Sequence, residues 1–412
     1  MREAFGGLST DWKQGIDWPA VRNWRLGRAR AAMKRHGLGA MLLMYDENMR
    51  YVSSTYTPGW NRLKPGLRYV VLCDGKEPIV YEQGDIGFHL KEHSPWIPHE
   101  NVRHSYTWIK GAAGPAAQQQ VTKFVEALVG DLEDAGVRDL PLGVDFVDIN
   151  MIGAFDRLGV TWTDGMTPMM EARAIKSPEE QKASRMVGAI CDSLHYEFTQ
   201  FLKPGLTENE VAAFGFEYLY SIPGIEDVED VIVSSGPNAW PNWRNFSDRI
   251  IRPGELVIID LAALTWNGYK SCVYRTYCVG GKPTDEMKQY YDLAHTWLWD
   301  AIEAVKPGAT TRDIASKWPS AQEIWGYNEE DQAAANLWGH GLGLAQYDRP
   351  VISRIWSLEH PETIEPGMVF ALETQHGKLH DFGVRLEEML LVTDDGYDLL
   401  STYNSHQIIS VG

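Results

Sequence analysis

The sequence is poor in cysteine, in basic residues and in long apolar runs, and each shortage excludes a class of protein. Only 4 of its 412 residues are cysteine. None stands in a Cys-x-x-Cys pair, which excludes a zinc ribbon and a thioredoxin-type motif. Lys and Arg total 38 against 56 Asp and Glu, a net charge of −18, which argues against nucleic acid and anionic membranes as partners. No apolar run approaches the length of a bilayer span.

The start of the chain and its organisation predict a cytoplasmic protein of two domains. Residues 1–7 hold no apolar core of a signal peptide, so we expect a cytoplasmic location. Short apolar runs alternate with helical patterns up to residue 175, which predicts an α/β domain over 1–175. Ser177 is followed by proline and two acids, which predicts the start of a long helix and of a second domain over 176–412.

Two matching stretches, 252–260 and 365–373, dominate the second domain. Each has a Pro-Gly turn, an apolar run and a final carboxylate. Asp260 aligns with Glu373 at the same offset of 113 that relates the two prolines (373 − 260 and 366 − 253). A short apolar run after Pro-Gly predicts a buried strand. Because burying a lone carboxylate is costly, two equivalent carboxylates predict a shared metal or cation site.

The repeat extends to the neighbouring helices and strands. Lys-Pro-Gly turns at 203–205 and 306–308 each precede a capping-box spacing, at Thr207 and Thr310. A second strand is predicted after each carboxylate, over 268–279 and 382–392. Such duplication predicts two similar lobes about a pseudo-two-fold axis, with ligands from both. The predicted fold class is an α/β N-terminal domain followed by an α+β domain with internal duplication.

Four side chains of the duplicated half are candidate metal ligands. They are Asp260, His340, Glu373 and Glu387. His340 lies in the glycine-rich segment 338–343, which predicts a turn that lets the backbone approach a ligand closely. A single histidine in a turn is usually structural, but three carboxylates and one imidazole together suit a divalent manganese, iron, cobalt or zinc ion.

The order of several motifs resembles one enzyme family. The motifs are Ser-Gly-Pro-Asn-Ala at 235–239, Asp260, Tyr-Arg-Thr at 274–276, His-Gly-Leu-Gly at 340–343, Glu373 and Val-Arg-Leu-Glu at 384–387. Over residues 176–400 the chain resembles the pita-bread (M24) metallopeptidase-like family. That family includes methionine aminopeptidase, aminopeptidase P, prolidase, creatinase and dimethylsulfoniopropionate lyase. The N-terminal domain more weakly resembles the prolidase and creatinase branch. The resemblance implies a pita-bread catalytic domain, a small-molecule substrate and a homodimer.

The chain departs from the family pattern at a metal-binding position. The peptidases of the family carry a second metal-binding aspartate before the Arg-Thr dipeptide, and here that position holds Cys272. A thiolate can bind zinc, but a soft ligand is unusual in a two-metal hydrolase. Whether Cys272 binds a metal, and whether the site holds two ions, one or none, stays open.

Two further departures affect the catalytic histidines of the peptidase pattern. Trp243 or Asn242 stands where the first is expected, and Tyr347 stands where the second is expected. Neither Trp243 nor Asn242 can shuttle a proton near neutral pH, and both histidines of the peptidase pattern are missing. The pattern is closer to dimethylsulfoniopropionate lyase, whose aspartate after the His-Gly segment implies proton transfer by Asp348. The predicted catalytic residues are therefore Asp348 and His340.

The residues around these departures suggest how a substrate binds. Trp240, Trp243 and Tyr347 offer aromatic faces to a sulfonium or ammonium group, and Arg244 suits a carboxylate. The leading hypothesis is an enzyme that cleaves a small polar metabolite by lyase or hydrolase chemistry. Three alternatives stay open: a metal-dependent Xaa-Pro dipeptidase or aminopeptidase, a metal-free creatinase-like hydrolase, and a catalytically dead binding protein.

Overall fold

The computed structural model describes the chain in five stretches, with two compact units. The stretches are residues 12–59, 66–108, 113–241, 245–333 and 337–412. The smaller unit is Asp17–Arg173, and the larger is Ala174–Gly412 together with the described residues before Asp17. Within these stretches no helix is long and apolar enough to cross a membrane.

The smaller unit is built on a six-stranded mixed sheet. Its strands are β1 (Ala40–Leu43), β2 (Tyr69–Cys73), β3 (Ile79–Glu82), β4 (Val102–His104), β5 (Leu142–Val144) and β6 (Trp162–Asp164). Their order is β4-β3-β2-β1-β5-β6. β1 runs antiparallel to β2 and parallel to β5. β1 and β2 are buried along their whole length, which explains their uninterrupted apolar sequence.

Six helices accompany this sheet in the described part of the smaller unit. They are α1 (Trp18–Arg35), α2 (Asp46–Ser53), α3 (Ile86–His93), α4 (Ala117–Asp134), α5 (Ile149–Leu158) and α6 (Met166–Ala174). The apolar faces of α4 and α5 pack on the sheet through Phe124, Leu128 and Phe155, all buried. The alternation of helices and strands matches the predicted α/β class.

The described part of the larger unit contains three sheets. Its strands are β7 (Ile225–Val228), β8 (Ile232–Ser235), β9 (Glu255–Asp260), β10 (Leu264–Trp266), β11 (Tyr269–Lys270), β12 (Tyr274–Val279), β13 (Gly339–Gly341), β14 (Asp348–Ile352), β15 (Val369–Lys378), β16 (Phe382–Val392), β17 (Tyr397–Leu399) and β18 (Ile409–Val411). The orders are β11-β10-β7, β18-β12-β9-β8 and β14-β13-β15-β16-β17. The helices are α7 (Pro178–Phe201), α8 (Glu208–Tyr220), α9 (Asp285–Glu303), α10 (Thr311–Ala315) and α11 (Ala321–Trp325).

The predicted helix starts are confirmed by their caps. Ser177 begins α7, Thr207 begins α8 and Thr310 begins α10. In each case the side-chain oxygen accepts from the backbone N–H three residues on, and the acid there accepts from the cap backbone. This reciprocal box satisfies two backbone donors that a helix N-terminus otherwise leaves without partners. The long helix predicted from Ser177 ends at Phe201.

The internal duplication is visible in matching main-chain hydrogen bonds. Gly205 donates its N–H to the carbonyl of Ile251 at 2.9 Å, and Gly308 donates to Ile364 at 2.9 Å. These are equivalent positions of the two repeats. Two antiparallel strand pairs follow the same plan, β9 with β12 and β15 with β16. Asp260 and Glu373 therefore lie on equivalent strands, one in each sheet.

One strand of the repeat is shorter than predicted. The single strand predicted over 268–279 is wrong, because β11 ends at Lys270 and β12 begins at Tyr274. In the gap, the Ser271 hydroxyl donates to the carbonyl of Leu261 at 2.6 Å. Ala263 donates its N–H to the Ser271 carbonyl at 2.8 Å. These contacts divert the chain from the strand direction just before Cys272.

A glycine inside α7 gives a testable packing prediction. A Cβ at Gly188 would overlap the carbonyl oxygen of Leu400 and lie 2.7 Å from its carbon. We therefore expect Gly188→Ala to lower the free energy of unfolding by about 1–3 kcal/mol or more. Gly130 in α4 is the matched control, since a Cβ there meets no atom within 4 Å. Gly130→Ala should raise stability by about 0.5–1 kcal/mol. Denaturant unfolding curves measure both, and a neutral Gly188→Ala would contradict the packing.

Candidate metal centre

Five predicted ligand residues come together where the two repeated strand pairs meet. Asp260 ends β9, Cys272 precedes β12, His340 is in β13, and Glu373 and Glu387 face each other across β15 and β16. The Cys272 sulfur lies 3.8 Å from Asp260 Oδ1. His340 Nε2 lies 3.8 Å from Glu387 Oε1. The duplication thus supplies side chains to one site from both halves.

Cys272 reaches the site because the strand is broken there. Leu261 donates its N–H to the carbonyl of Val273 at 3.2 Å, so the backbone around Cys272 turns back toward the end of β9. The side-chain amide of Gln346 donates to the Cys272 sulfur at 3.6 Å. Cys272 is 5% exposed, and its sulfur lies 3.8 Å from Asp260 Oδ1 as well.

His340 lies in a strand and not in the predicted turn. β13 pairs with β14 on one side and with β15 on the other. The glycines beside His340 serve close packing: a Cβ at Gly339 would lie 2.6 Å from the Leu372 side chain. The predicted turn is therefore wrong, although the close backbone approach inferred from the glycines is present. The His340 ring contacts the Tyr347 ring at a centroid distance of 4.7 Å.

Arg385 provides the positive charge of this cluster. Its guanidinium donates to Glu373 Oε2 at 2.6 Å, and it lies over the Tyr274 ring, 4.0 Å from the centroid. Both side chains of the ion pair are largely buried, at 12% and 13% exposed. Burial lowers the pKa of Arg385, but Tyr274, Glu373 and Asp260 together raise it above the usual range, so the guanidinium keeps its charge. The carboxylate of Glu373 is thus oriented by a positively charged side chain of the same protein.

Burial and mutual repulsion disfavour negative charge on the other acids. Burial raises the pKa of Asp260 to about 7, with Glu373 adding to the shift and Arg385 opposing it. Burial, Glu373 and Asp260 raise the pKa of Glu387 well above its usual range. The pKa of the Cys272 thiol is also raised well above its ordinary value by burial and by these acids. The single positive charge of Arg385 does not balance the negative charges that these side chains carry when ionised, whereas an added divalent cation would.

The donor atoms fit such a cation. One ligand atom each from Cys272, His340 and Glu387 lie within 4.8 Å of one another, and all three side chains are buried. Neither carboxylate oxygen of Glu387 has a hydrogen-bond partner of ordinary geometry among the described residues. A buried carboxylate without partners is costly, and a metal ion is the usual solution. Burial lowers the pKa of His340, which keeps the imidazole neutral and able to bind a metal.

Asp348 is not among the three side chains whose ligand atoms lie within 4.8 Å of one another. Its side chain is fully buried, and Oδ2 lies 3.9 Å from the ammonium of Lys176. Tyr347, one residue earlier, contacts His340 instead. The structure thus pairs Asp348 with a buried lysine next to Gly343, whose added Cβ would lie 3.1 Å from Oδ2. Proton transfer by Asp348 stays a prediction.

The predicted substrate-binding aromatics are only partly described. Trp240 stacks on Trp325 at 5.7 Å and contacts the edge of His376 at 6.4 Å. It covers Gly377, on the strand that carries Glu373. Trp243 and Arg244 lie outside the described residues. Tyr347 is 58% exposed, so one face of the site carries an accessible aromatic ring.

The sequence analysis did not identify three side chains that contact the candidate ligands or their neighbours. Arg385 stands two residues before Glu387 in a strand, so both point to the same face. That spacing in the sequence could have identified it. Tyr274 contacts Arg385 and lies opposite Asp260. Gln346, by contrast, carries no signal in the sequence, because its contact with Cys272 depends on the course of a loop.

Comparison with known proteins decides the family. The model of metallopeptidase family M24 matches residues 182–394, just over half of the chain. The chain belongs to the M24 family. Members of this family are enzymes that generally use divalent metal ions, in agreement with the donor cluster. The solved structures of family members reproduce the mixed α/β architecture of both units.

Relatives of this M24 chain carry different activities in their names. An Xaa-Pro dipeptidase of Pyrococcus horikoshii is 32% identical over 91% of this chain and 96% of its own length. Dimethylsulfoniopropionate lyase DddP of Roseovarius nubinhibens is 23% identical over 97% of this chain and 90% of its own length. A probable dipeptidase, PepE, of Mycobacterium bovis is 31% identical over 60% of this chain. That match spans 64%, or just under two thirds, of the relative.

A solved structure supports the same assignment. Dipeptidase PepE of Mycobacterium ulcerans is similar with a TM-score of 0.73 and 25% identity. The match covers 95% of this chain and 98% of the other. Both units therefore have counterparts in one solved M24 structure. Peptidase and lyase relatives are both present, so membership of the family leaves the reaction open.

Proposed function

We propose that this M24 enzyme cleaves a small, carboxylate-bearing metabolite by lyase or hydrolase chemistry and not a proline-containing peptide. The observation that carries the proposal is Tyr347. It lies against His340 at 4.7 Å, in the place where the peptidase pattern has its second histidine. Cys272, in the place of a metal-binding aspartate, is the second departure at the same site.

Tyr347 changes the acid–base chemistry that the site can perform. Burial of part of its ring, with Cys272 and Glu373 nearby, raises its pKa above the usual range. A neutral phenol donates a hydrogen bond near neutral pH but does not take up a proton. His340 faces Glu387 and is a ligand candidate. Among the described residues of the cluster, no imidazole remains to protonate the departing amine of a peptide.

Residues among the five candidate ligands would hold the metal, and other residues would bind the substrate. The candidates are Asp260, Cys272, His340, Glu373 and Glu387. A bound divalent ion would stabilise negative charge on a substrate oxygen. The exposed ring of Tyr347 suits a sulfonium or ammonium group, and Arg244 is the proposed partner of the carboxylate. Assembly as a homodimer stays a prediction.

A parallel substrate screen tests the proposal. The metal-loaded protein would be assayed by mass spectrometry with short sulfonium and ammonium carboxylates and with Xaa-Pro dipeptides. We expect product from the first group and slower or no release of proline. Tyr347→His should raise dipeptide hydrolysis by about 10²–10⁴-fold, the usual contribution of a general acid–base group. Asp348→Asn in the same assay tests proton transfer by Asp348. Faster dipeptide cleavage than carboxylate cleavage by the unaltered protein would overturn the proposal.

The second candidate function is an Xaa-Pro dipeptidase. It is favoured by the Pyrococcus horikoshii relative, which is named as an Xaa-Pro dipeptidase. The two sequences are 32% identical over 91% of this chain. Tyr347 and Cys272 argue against it. The same screen decides between the two, because proline release is measured directly.

A further inference from the structure

We infer that Cys272, His340 and Glu387 bind one thiophilic divalent ion, zinc above all, through a direct bond from the cysteine sulfur. The site would then be a one-metal centre with a soft ligand, in contrast to the two-metal pattern of the family's peptidases. The inference rests on the metal dependence in the proposed function and adds the class and number of ions.

The three side chains approach one point from separate elements. Cys272 comes from the segment before β12, His340 from β13 and Glu387 from β16. Their ligand atoms lie within 4.8 Å of one another, so one small ion can contact all three after modest side-chain movement. Three protein ligands leave a fourth position of zinc open for water or substrate, as catalytic zinc sites require.

Glu387 is the independent observation that points to an ion. It is 0% exposed, and neither of its oxygens has a hydrogen-bond partner of ordinary geometry in the described part of the chain. His340 Nε2 at 3.8 Å from Oε1 is too distant for a hydrogen bond. The two groups are instead spaced as ligands on either side of a common ion.

The Cys272 sulfur has polar neighbours in the site. The amide of Gln346 donates to Cys272 Sγ at 3.6 Å, and Asp260 Oδ1 lies 3.8 Å from the same sulfur. Apolar packing would provide no such donor. Thiolates select zinc and cadmium over manganese and magnesium, which prefer oxygen ligands.

The replacement of a carboxylate by Cys272 favours one ion over two. Glu373 already accepts from Arg385 at 2.6 Å. Asp260 Oδ1 has the Cys272 thiol as its donor at 3.8 Å. An aspartate offers two oxygens that can each contact an ion, whereas Cys272 offers one sulfur atom. A second ion would therefore lack the bridging carboxylate that the family's peptidases have at this position.

Titration with cobalt and cadmium tests the inference without any substrate. We expect a near-ultraviolet absorption band from thiolate-to-metal charge transfer that saturates at one equivalent per chain. Cys272→Ser should lose the band and bind zinc about 10–100-fold more weakly in competition with a chromophoric chelator. Cys278→Ser is the matched control, a buried free cysteine within β12, and should keep the band.

A second variant keeps the test decisive if Cys272→Ser folds poorly. Cys272→Asp restores the family's carboxylate and should bind two equivalents of manganese without a thiolate band. Two equivalents of metal in the unaltered protein, or saturation without the band, would overturn the inference. The absence of substrate separates this result from the activity screen: a missing band refutes thiolate ligation, whereas missing turnover refutes the proposed reaction.

Discussion

Replacing Glu387 by glutamine is expected to abolish tight metal binding and yet to make the metal-free protein more stable. Both effects have one cause, the buried carboxylate whose oxygens have no hydrogen-bond partner of ordinary geometry among the described residues. Bound to an ion, that carboxylate is a strong ligand. Without the ion, it is a buried charge that the folded state disfavours. Glutamine has nearly the same shape but carries no charge.

The expected loss of affinity is large. Removing a residue that only supports a ligand costs about 10–100-fold in metal affinity, so removing the ligand itself should cost about 100-fold or more. Competition against a chelator measures this loss. Wild-type affinity in Glu387→Gln would exclude Glu387 from the metal site.

The stability effect should depend on pH with a definite sign. The pKa of Glu387 is raised in the folded protein, so the folded state binds more protons here than the unfolded chain. The stability from this group is therefore complete below its unfolded value, about 4.3, and is lost as pH rises from there toward the raised folded pKa. Glu387→Gln removes that loss. With chelator present, its unfolding midpoint should exceed that of the unaltered protein by a margin that grows with pH.

Glu373→Gln is the matched control with the opposite sign. Glu373 lies across the strand pair from Glu387 but accepts from Arg385 at 2.6 Å. Losing its charge removes a charge-assisted hydrogen bond, which costs about 1.5–3 kcal/mol. We expect this variant to be less stable than the unaltered protein. Equal shifts in the two variants would show that the cluster responds only to its total charge.

The duplicated framework could be predicted because its signals are local. The Pro-Gly turns, the apolar runs and the capping residues each act within a few positions of themselves. Thr207 and Thr310 cap helices for the same reason at both places. Equivalent strands then carry Asp260 and Glu373 to one site. Chain order and local chemistry were sufficient for this part of the fold.

The course of the chain around Cys272 could not be predicted in the same way. The segment 268–279 has the apolar residues of one strand, and its interruption depends on hydrogen bonds to Leu261 and Ala263, about ten residues away in sequence. Ala263 itself has a positive φ of 52°, a conformation that an alanine in the sequence does not predict. Long-range contacts therefore decide where the sulfur points.

Glycine misled the prediction at His340 for a related reason. A glycine-rich segment is typical of a turn, but glycine is equally required where strands pack closely. At Gly341 an added Cβ would lie 2.5 Å from the backbone carbon of Asp348, which is the strand-packing case. Sequence alone does not separate the two uses of glycine. The pairing of Asp348 with Lys176 depends on the same strand arrangement, so it could not be predicted from the sequence either.

Replacing Arg275 by methionine should be among the most damaging substitutions in the larger unit. Arg275 is 0% exposed and Glu388 is 1% exposed, and their charged groups are 2.9 Å apart. Breaking a buried ion pair on one side costs about 3–5 kcal/mol, because the remaining charge stays buried. Unfolding by denaturant should show a loss of this size.

An exposed ion pair of the same unit is the control. Arg185 and Asp398 are 48% and 46% exposed, and such pairs contribute about 0–1 kcal/mol. Arg185→Met should therefore change stability little. The double variant Arg275→Met with Glu388→Met should recover much of the loss, because apolar residues of similar volume replace buried pairs well. A double variant as unstable as Arg275→Met would show that the damage comes from packing.

The double variant of Arg275 and Glu388 distinguishes an effect on the stability of the fold from an effect on the geometry of the site. Arg275 also donates to the backbone carbonyls of Tyr274 and Glu387, at 2.8 and 2.7 Å. It thereby ties β12 to β16, the strands beside Cys272 and Glu387. Methionine cannot replace these donors. We therefore expect the double variant to fold but to bind metal about 10–100-fold more weakly, as for the loss of other residues that orient ligands. Unchanged affinity would mean that the strands hold the ligands in place without Arg275.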